Sequence, residues 1–323
     1  MSRCLVTGAA GFLGYHLCER LLSEGHEVVG LDNFLSGSAK NRDDLLEHKA
    51  FRFFELDVLA CSKGGQGCAQ LLGAAAGYDE IYHLACPASP PMYQRDQLGT
   101  LAICFEGTRN MLDLAQQTGA RILIASTSEI YGDPDVHPQP ESYRGNVNTM
   151  GPRSCYDEGK RVSETLGYIY GDRGVTVRTV RIFNTYGPRM SPSDGRVVTN
   201  FIAQALRGES LTIYGDGKQT RSFCYFSDTI EGLVRVARGD SREPFNIGSQ
   251  DEFTVGELAD MVIAVSGKPL AKTHRDLPVD DPTRRRPDTT RAAQVLGWRA
   301  EVGIRDGIRR MYAWMSEQGE VNP

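Results

Sequence analysis

The chain has 323 residues, a formal net charge of −5, and an ordinary balance of 40% hydrophobic and 24% charged residues. That length can bury the core of one large domain or of two interlocked ones, and the acidic balance excludes the broad basic surface that nucleic-acid binding needs. No apolar run is long enough to span a bilayer, and a strand predicted almost at Met1 leaves no room for a signal peptide, so the expected location is the cytoplasm.

Residues 3–7 (RCLVT) read as a short buried strand, followed by GAAGFLG and then by residues 15–23 with apolar side chains at helical spacing. Gly8, Gly11 and Gly14 form G-x-x-G-x-x-G around Phe12 and Leu13. Between a strand and a helix, such glycines allow a tight turn and let backbone approach a pyrophosphate at a helix N-terminus. Residues 26–32 (HEVVGLD) are a second strand, ending in Asp32. A carboxylate at that strand end accepts from both ribose hydroxyls and repels a 2′-phosphate, so NAD is expected rather than NADP. Residues 51–57 (FRFFELD) are a third strand, whose Asp57 suits an adenine contact or else caps the following turn.

Residues 81–85 (IYHLA) are a fourth strand, with His83 as a packed strand residue. The CPASPPMY that follows is expected to be loop, because prolines cannot continue a ladder. Residues 98–118 read as one long helix, and 121–126 (RILIAS) as a strand ending in Thr127-Ser128-Glu129. Polar side chains at a strand's carboxyl end in an open parallel sheet are where ligands bind. GPRSCYDEGKR opens the helix of residues 154–173 and sets Tyr156 and Lys160 four residues apart, on one helix face. A phenol beside a fixed ammonium can move protons, since the positive charge favours the phenolate. Residues 175–182 add another strand. Strand and helix alternate throughout, which predicts an α/β fold with a doubly wound parallel sheet of the Rossmann type.

From Ser191 the pattern loosens into a smaller, partly interleaved lobe. Residues 194–207 turn into a helix, 211–214 and 245–247 are short strands, 227–238, 254–266 and 305–317 are helices, and GDGKQTRSF and PVDDPTRRRPD are polar loops. Residues 1–186 are expected to form the nucleotide unit, to which 222–248 returns, and 187–221 with 249–323 the substrate lobe. Arg189, Arg196, Arg221 and Arg285 of that lobe suit a diphosphate or a carboxylate. The bland reading of the Arg284-Arg285-Arg286 run, taken alone, is a solvated loop. The eight cysteines contain no C-x-x-C pair and read as buried reduced thiols, with no metal site. Cys61 and Cys68 bracket a glycine-rich insert where a loop disulfide or metal clip is the alternative.

TGAAGFLG, LDNFLSG, HLACPASPPMY, ASTSEIYGDP, GPRSCYDEGKR, RIFNTYGPRM, DGRVVTNFI, YGDGKQTRSF and DDPTRRRPD together resemble the extended short-chain dehydrogenase/reductase family. Within it, the chain is similar to the UDP-glucuronate decarboxylases over nearly its whole length. Thr-Ser-Glu at 127–129 is the form that group carries; 4,6-dehydratases have Asp-Glu in the place of Ser128-Glu129, and epimerases usually lack the Glu. The resemblance implies NAD held by Gly8, Gly11, Phe12, Leu13, Gly14, Asp32, Asn33, Ser36, Gly37, Asp57, Val58, Leu84, Ala85, Tyr156 and Lys160. It implies UDP-glucuronate held by Pro87, Tyr93, Glu129, Asn184, Arg189, Arg196, Val197, Tyr214, Gln219, Arg221 and Arg285. Tyr156 would be the base, Lys160 its partner, Thr127 the hydroxyl at the sugar 4-position, Ser128 and Glu129 residues of the decarboxylation step, and Arg285 a carboxylate partner or an aid to protonation.

The implied reaction oxidises C4, loses CO2 from the resulting β-keto acid, protonates C5 and reduces C4 again. The donor at C5 stays open between Glu129 through a water, Tyr156 and Arg285. Alternatives are release of the UDP-4-keto-pentose with NADH, 4-epimerisation, which Glu129 argues against, and a non-catalytic dinucleotide sensor. The resemblance also implies a homodimer through a four-helix bundle of the 98–118 and 154–173 helices. Two departures stand out: Cys104 where the family has Asn, and Ala102 where it has Lys.

Overall fold

The apolar runs pair as a parallel sheet. The computed structural model describes residues 1–73, 77–278, 280 and 282–319. Its strands β1 (Arg3–Thr7), β2 (Glu27–Asp32), β3 (Phe51–Glu55), β4 (Glu80–His83), β5 (Arg121–Thr127), β6 (Val177–Ile182) and β7 (Phe245–Ile247) lie in the order β7-β6-β5-β4-β1-β2-β3. Every neighbouring pair is parallel. The chain runs outward from β1 to one side and then resumes at β4 on the other. This reversal opens a crevice at the strands' carboxyl ends, where ligands bind in such sheets.

Helices cover both faces, as near-continuous apolar strands require. On one face Leu17 and Leu21 of the first helix pack with Leu233 and Val236, and Ala292 and Trp298 join that core from the C-terminal segment. On the other, Met111, Leu112 and Ala115 pack with Leu166 and Tyr170 of the helix Ser154–Asp172. Gly167 lets that helix lie close to the sheet: a Cβ there would meet Ile124 Cδ1 at 3.0 Å. Glu164 pins it further, accepting from Ser126 Oγ at 2.5 Å and from Arg181 at 2.8 and 3.0 Å. A third core gathers Phe201, Leu258, Val262, Ile308 and Met311 from the helices Val197–Arg207, Val255–Ser266 and Ile304–Gln318.

Several expectations need correction. CPASPPMY is not all loop: Pro90–Arg95 is a short helix with its prolines in the first turn, where a missing N–H costs nothing and φ already suits a helix. The 98–118 helix is continuous but not uniform. It runs as α-helix over Gln97–Ala102, widens to a π turn over Ile103–Gly107, and resumes as α-helix over Thr108–Thr118. The glycine-rich insert also folds, with a helix at Gln66–Gly73, and Cys61 and Cys68 are both free and buried.

The two polar loops are paired strands in part. Arg284–Arg285 runs parallel to Thr220–Ser222, which pairs antiparallel on its other side with Glu252–Thr254. Arg285 is consequently 1% exposed, against the solvated reading of its arginine run. Residues 279 and 281 of that loop lie outside the described residues.

Candidate active site

The glycine turn is built by close approach. Gly8 has φ +73°, and a Cβ on it would press on Leu84 and Ala85 at 3.1–3.2 Å. A Cβ on Gly14 would lie 1.9 Å from the Gly8 carbonyl, so only glycine lets the helix Phe12–Ser23 start against β1. At the end of β2, Asp32 accepts from Ala10 N–H at 3.0 Å and Phe34 N–H at 2.8 Å. Burial pushes its carboxyl up, and those backbone donors oppose the shift. Asp57 accepts from Leu59 N–H and from Asn33 Nδ2, both at 2.8 Å, so it both caps the following turn and fixes Asn33. A tight turn at a helix start followed by a strand-end carboxylate fits a dinucleotide: pyrophosphate on the turn, ribose diol at Asp32.

The carboxyl end of β5 forms the opposing wall. Thr127 caps the 3-10 turn Ser128–Tyr131 by accepting from Glu129 N–H at 3.3 Å. Glu129 is held between two guanidiniums, Arg153 at 2.6 Å and Arg285 at 3.1 Å. Burial would raise its carboxyl, but Arg285 and Arg153 outweigh burial and hold it well below the usual carboxylate range. Arg285 also donates to Ser128 Oγ at 2.9 Å and to Gly132 O at 2.8 Å.

Tyr156 and Lys160 do share a helix face, both buried. Lys160 Nζ donates to Ala125 O at 2.8 Å and stands 5.8 Å from the centre of the Tyr156 ring. The Tyr156 ring stacks on Tyr93 with centroids 4.8 Å apart and planes 3° apart. Burial raises the phenol well above its ordinary value and Cys86 adds to this, while a hydrogen bond with Thr127 lowers it. Burial thus opposes the phenolate that the ammonium and the Thr127 hydroxyl favour. His83, between Thr7 Oγ1 at 2.9 Å and Thr108 Oγ1 at 3.3 Å, is pushed down to about 3 by burial and then by Lys160. It is a neutral strut, as expected.

The glycine turn, Asp32, Asn33, Asp57, Tyr93, Thr127, Ser128, Glu129, Arg153, Tyr156, Lys160 and Arg285 line one cavity of about 1020 Å³. Phe12, Leu13, Ser36, Gly37, Val58, Leu84, Ala85, Pro87, Asn184 and Val197 line it too, as do Tyr214, Gln219 and Arg221 from the lobe. Two lobe arginines on its wall are already paired. Arg196 is held by Asp194, and Arg189, at φ +70°, by Asp44, Asn41 and the Tyr15 ring. Arg189 thus ties the lobe to the first helices.

Sequence reading passed over Arg153, Asp157 and Cys86. Arg153, Tyr156, Asp157 and Lys160 are spaced i, i+3, i+4, i+7, so the periodicity that joined Tyr156 to Lys160 extends to both missed residues. Asp157 is buried, and burial followed by Glu129 raises its carboxyl. Among the described residues there is no cluster of His, Cys, Asp and Glu that could hold a metal ion.

A model of the NAD dependent epimerase/dehydratase family matches residues 4–248. UDP-glucuronic acid decarboxylase 5 of Arabidopsis thaliana is 50% identical over 311 residues, which cover 96% of this chain and 88% of that protein. UDP-glucuronic acid decarboxylase 1 of Danio rerio is 46% identical over 322 residues, covering 98% and 73%. Among solved structures, the UDP-glucuronic acid 4-epimerase of Bacillus cereus in complex with UDP-glucuronic acid and NAD is similar at a TM-score of 0.85 and 27% identity, over 98% of this chain and 99% of that one. The dTDP-glucose 4,6-dehydratase DesIV of Streptomyces venezuelae, with NAD and TYD bound, reaches 0.87 at 27% identity, over 98% and 97%. With a glycine turn, a strand-end carboxylate and a Tyr/Lys helix around one cavity, and relatives matched along nearly its full length, the chain belongs to the NAD dependent epimerase/dehydratase family.

Proposed function

We propose that this protein decarboxylates UDP-glucuronate to UDP-xylose, using NAD that is regenerated in each cycle. The observation that carries the reading is the wall facing Tyr156: Thr127, Ser128 and a Glu129 carboxylate clamped by Arg153 and Arg285. Relatives named as UDP-glucuronic acid decarboxylases, near 50% identity, support it.

The chemistry follows from the substrate. A carboxylate on C5 leaves only when the carbanion can delocalise, and a ketone at C4 provides that. Bound NAD supplies the hydride acceptor, and afterwards the donor, at C4. Tyr156 removes the 4-hydroxyl proton, with Thr127 hydrogen-bonded beside it. The enolate left by CO2 is stabilised by the same two hydroxyls. Lys160, anchored on Ala125 O, holds its charge beside the Tyr156 ring. Arg285 acts mainly through Ser128 and Glu129, which share its Nη1, while its Nη2 donates to Gly132 O. Its Nε and the Tyr93 hydroxyl are buried without a partner among the described residues, and buried polar groups call for one. A sugar acid supplies acceptors for both. Incubation with UDP-glucuronate tests the reading. CO2 and UDP-xylose should form with no build-up of reduced nicotinamide; an absence of CO2 rejects decarboxylation, and accumulating NADH with a 4-keto pentose favours the variant that releases its intermediate.

The chain divides into a nucleotide unit, residues 1–186 with 222–248, and a UDP-sugar lobe, residues 187–221 and 249–323. The separate core of the last helices supports this, with Ala292 and Trp298 reaching into the sheet's core. A homodimer is supported by Leu98, Leu101 and Phe105 on one helix and Tyr168 and Ile169 on the helix packed against it, all exposed. Two copies joined there form a four-helix bundle. A cytoplasmic setting is supported by eight free cysteines, and no described helix is long and apolar enough to cross a membrane.

A further inference from the structure

The proposed reaction leaves two thiols unused beside the Tyr156 helix. Cys86 lies on the cavity wall just past β4, and Cys104 lies in the π turn Ile103–Gly107. Their sulfurs are 3.5 Å apart and share a hydrogen bond. Cys104 is wedged against the catalytic helix, since a Cβ on Gly159 would meet its Cβ and Sγ at 3.0 Å. Ser163 Oγ donates to the Cys104 carbonyl at 2.8 Å and holds the turn in place.

The two sulfurs differ in access and in charge. Cys104 is 2% exposed, whereas Cys86 opens on the cavity. The hydrogen bond from Cys104 draws the Cys86 thiol below its usual range, burial opposes this, and the Lys160 ammonium adds to the lowering. The same shared bond, and then burial, push Cys104 up. One thiol is thus accessible and activated while its neighbour is protected, the arrangement of an attacking and a resolving cysteine. The third thiol nearby is engaged elsewhere: Cys155 donates to Tyr93 O at 3.7 Å, and burial raises it.

We propose that Cys86 and Cys104 are a reversible oxidation site for hydrogen peroxide, closing to a disulfide beside Lys160. The Cys86 thiolate attacks one peroxide oxygen; the O–O bond breaks, giving the sulfenic acid and a hydroxide that leaves as water on taking a proton. The Cys104 sulfur then attacks the Cys86 sulfur. The S–O bond breaks, the S–S bond forms, and the hydroxyl leaves as water with the Cys104 proton. Two electrons pass from the thiols to the peroxide, and a dithiol reductant returns them. The sulfurs must close from 3.5 Å to about 2.05 Å. Closure draws the Cys86 loop toward the catalytic helix and takes a hydrogen-bonding thiol from Lys160, so turnover falls while the pair is oxidised.

The test treats the intact protein with hydrogen peroxide, blocks free thiols by alkylation and digests it without reductant. A cross-linked peptide joining Cys86 to Cys104 is expected, with loss of turnover in step with it and recovery on dithiothreitol. Cys104→Ser should keep basal turnover and give no cross-link. Without a resolving thiol its Cys86 is oxidised further, so activity lost to peroxide does not return with dithiothreitol. The proposal is overturned by absence of the Cys86–Cys104 peptide, by a link to Cys155 in its place, by undiminished turnover of the cross-linked protein, or by equal recovery in the Ser variant. The peptide is read by mass whatever the substrate, so failure of the thiol site is told apart from failure of the decarboxylase reading.

Discussion

Glu129 is a charged group in a place that disfavours charge, and two guanidiniums keep it ionised. Removing one of them has a signed consequence. In Arg153→Ala the Glu129 carboxyl rises toward its ordinary value, so the acid limb of the kcat/KM profile should move to higher pH. An unmoved limb would assign it to another group. Stability follows the same sign: the contribution of a depressed carboxyl is present above its unfolded value and is lost as pH falls through the folded one. Acid unfolding of the variant, followed by circular dichroism, should therefore begin at higher pH than in the parent. Tyr156 gives a second test. Tyr156→Phe keeps the stacking surface for Tyr93 but removes the proposed proton acceptor, and should lower kcat by about 10²–10⁴-fold. Fluorescence titration should show NAD binding retained. At this scale the sequence was legible where a residue's chemistry is tied to spacing, as for Tyr156 and Lys160. It was silent where a role comes from a distant partner, since nothing local says that Arg153 and Arg285 converge on one carboxylate.

The elements were legible in proportion to how far local pattern governs them. β1 and β5 came out nearly residue for residue, because a buried parallel strand is an apolar run and nothing else competes for it. The first helix begins at Phe12, three residues before its apolar periodicity suggested, because the glycine turn feeds directly into it. The π turn was hidden, since one extra residue in a helical turn leaves the apolar pattern on either side intact. The two-residue strand Arg284–Arg285 was hidden too, because its pairing depends on Thr220–Ser222 rather than on its own propensity. A test at this scale is Gly14→Ala. Its Cβ has no room beside the Gly8 carbonyl, and neither partner is the end of a flexible side chain. Forced overpacking of this kind costs about 1–3 kcal/mol. Thermal unfolding should register the loss, and NAD titration a weaker complex, since the displaced turn is the proposed pyrophosphate cradle.

For the whole molecule, fold class and a partly interleaved second lobe followed from the order of strand and helix, whereas the residues by which the C-terminal segment enters the sheet's core did not. Ala292 and Trp298 enter the sheet's core from far along the chain, and no local signal announces that. The proposed dimer carries the prediction at this scale. Leu98 is 82% exposed and Tyr168 71%, so charges there disturb little inside one protomer. Leu98→Glu combined with Tyr168→Glu should convert a dimer to a monomer in sedimentation velocity while leaving the circular dichroism spectrum unchanged. A parent protein that already sediments as a monomer rules the bundle out.

Arg285 meets Ser128 across a sequence separation of 157. On a ribosome, the wall that contains Glu129 is therefore made long before the second cation that contacts it. Until the strand at Arg284–Arg285 docks, Glu129 has Arg153 but lacks the second guanidinium that holds it. A chain that ends before that strand lacks the Arg285 contacts to Ser128, Glu129 and Gly132.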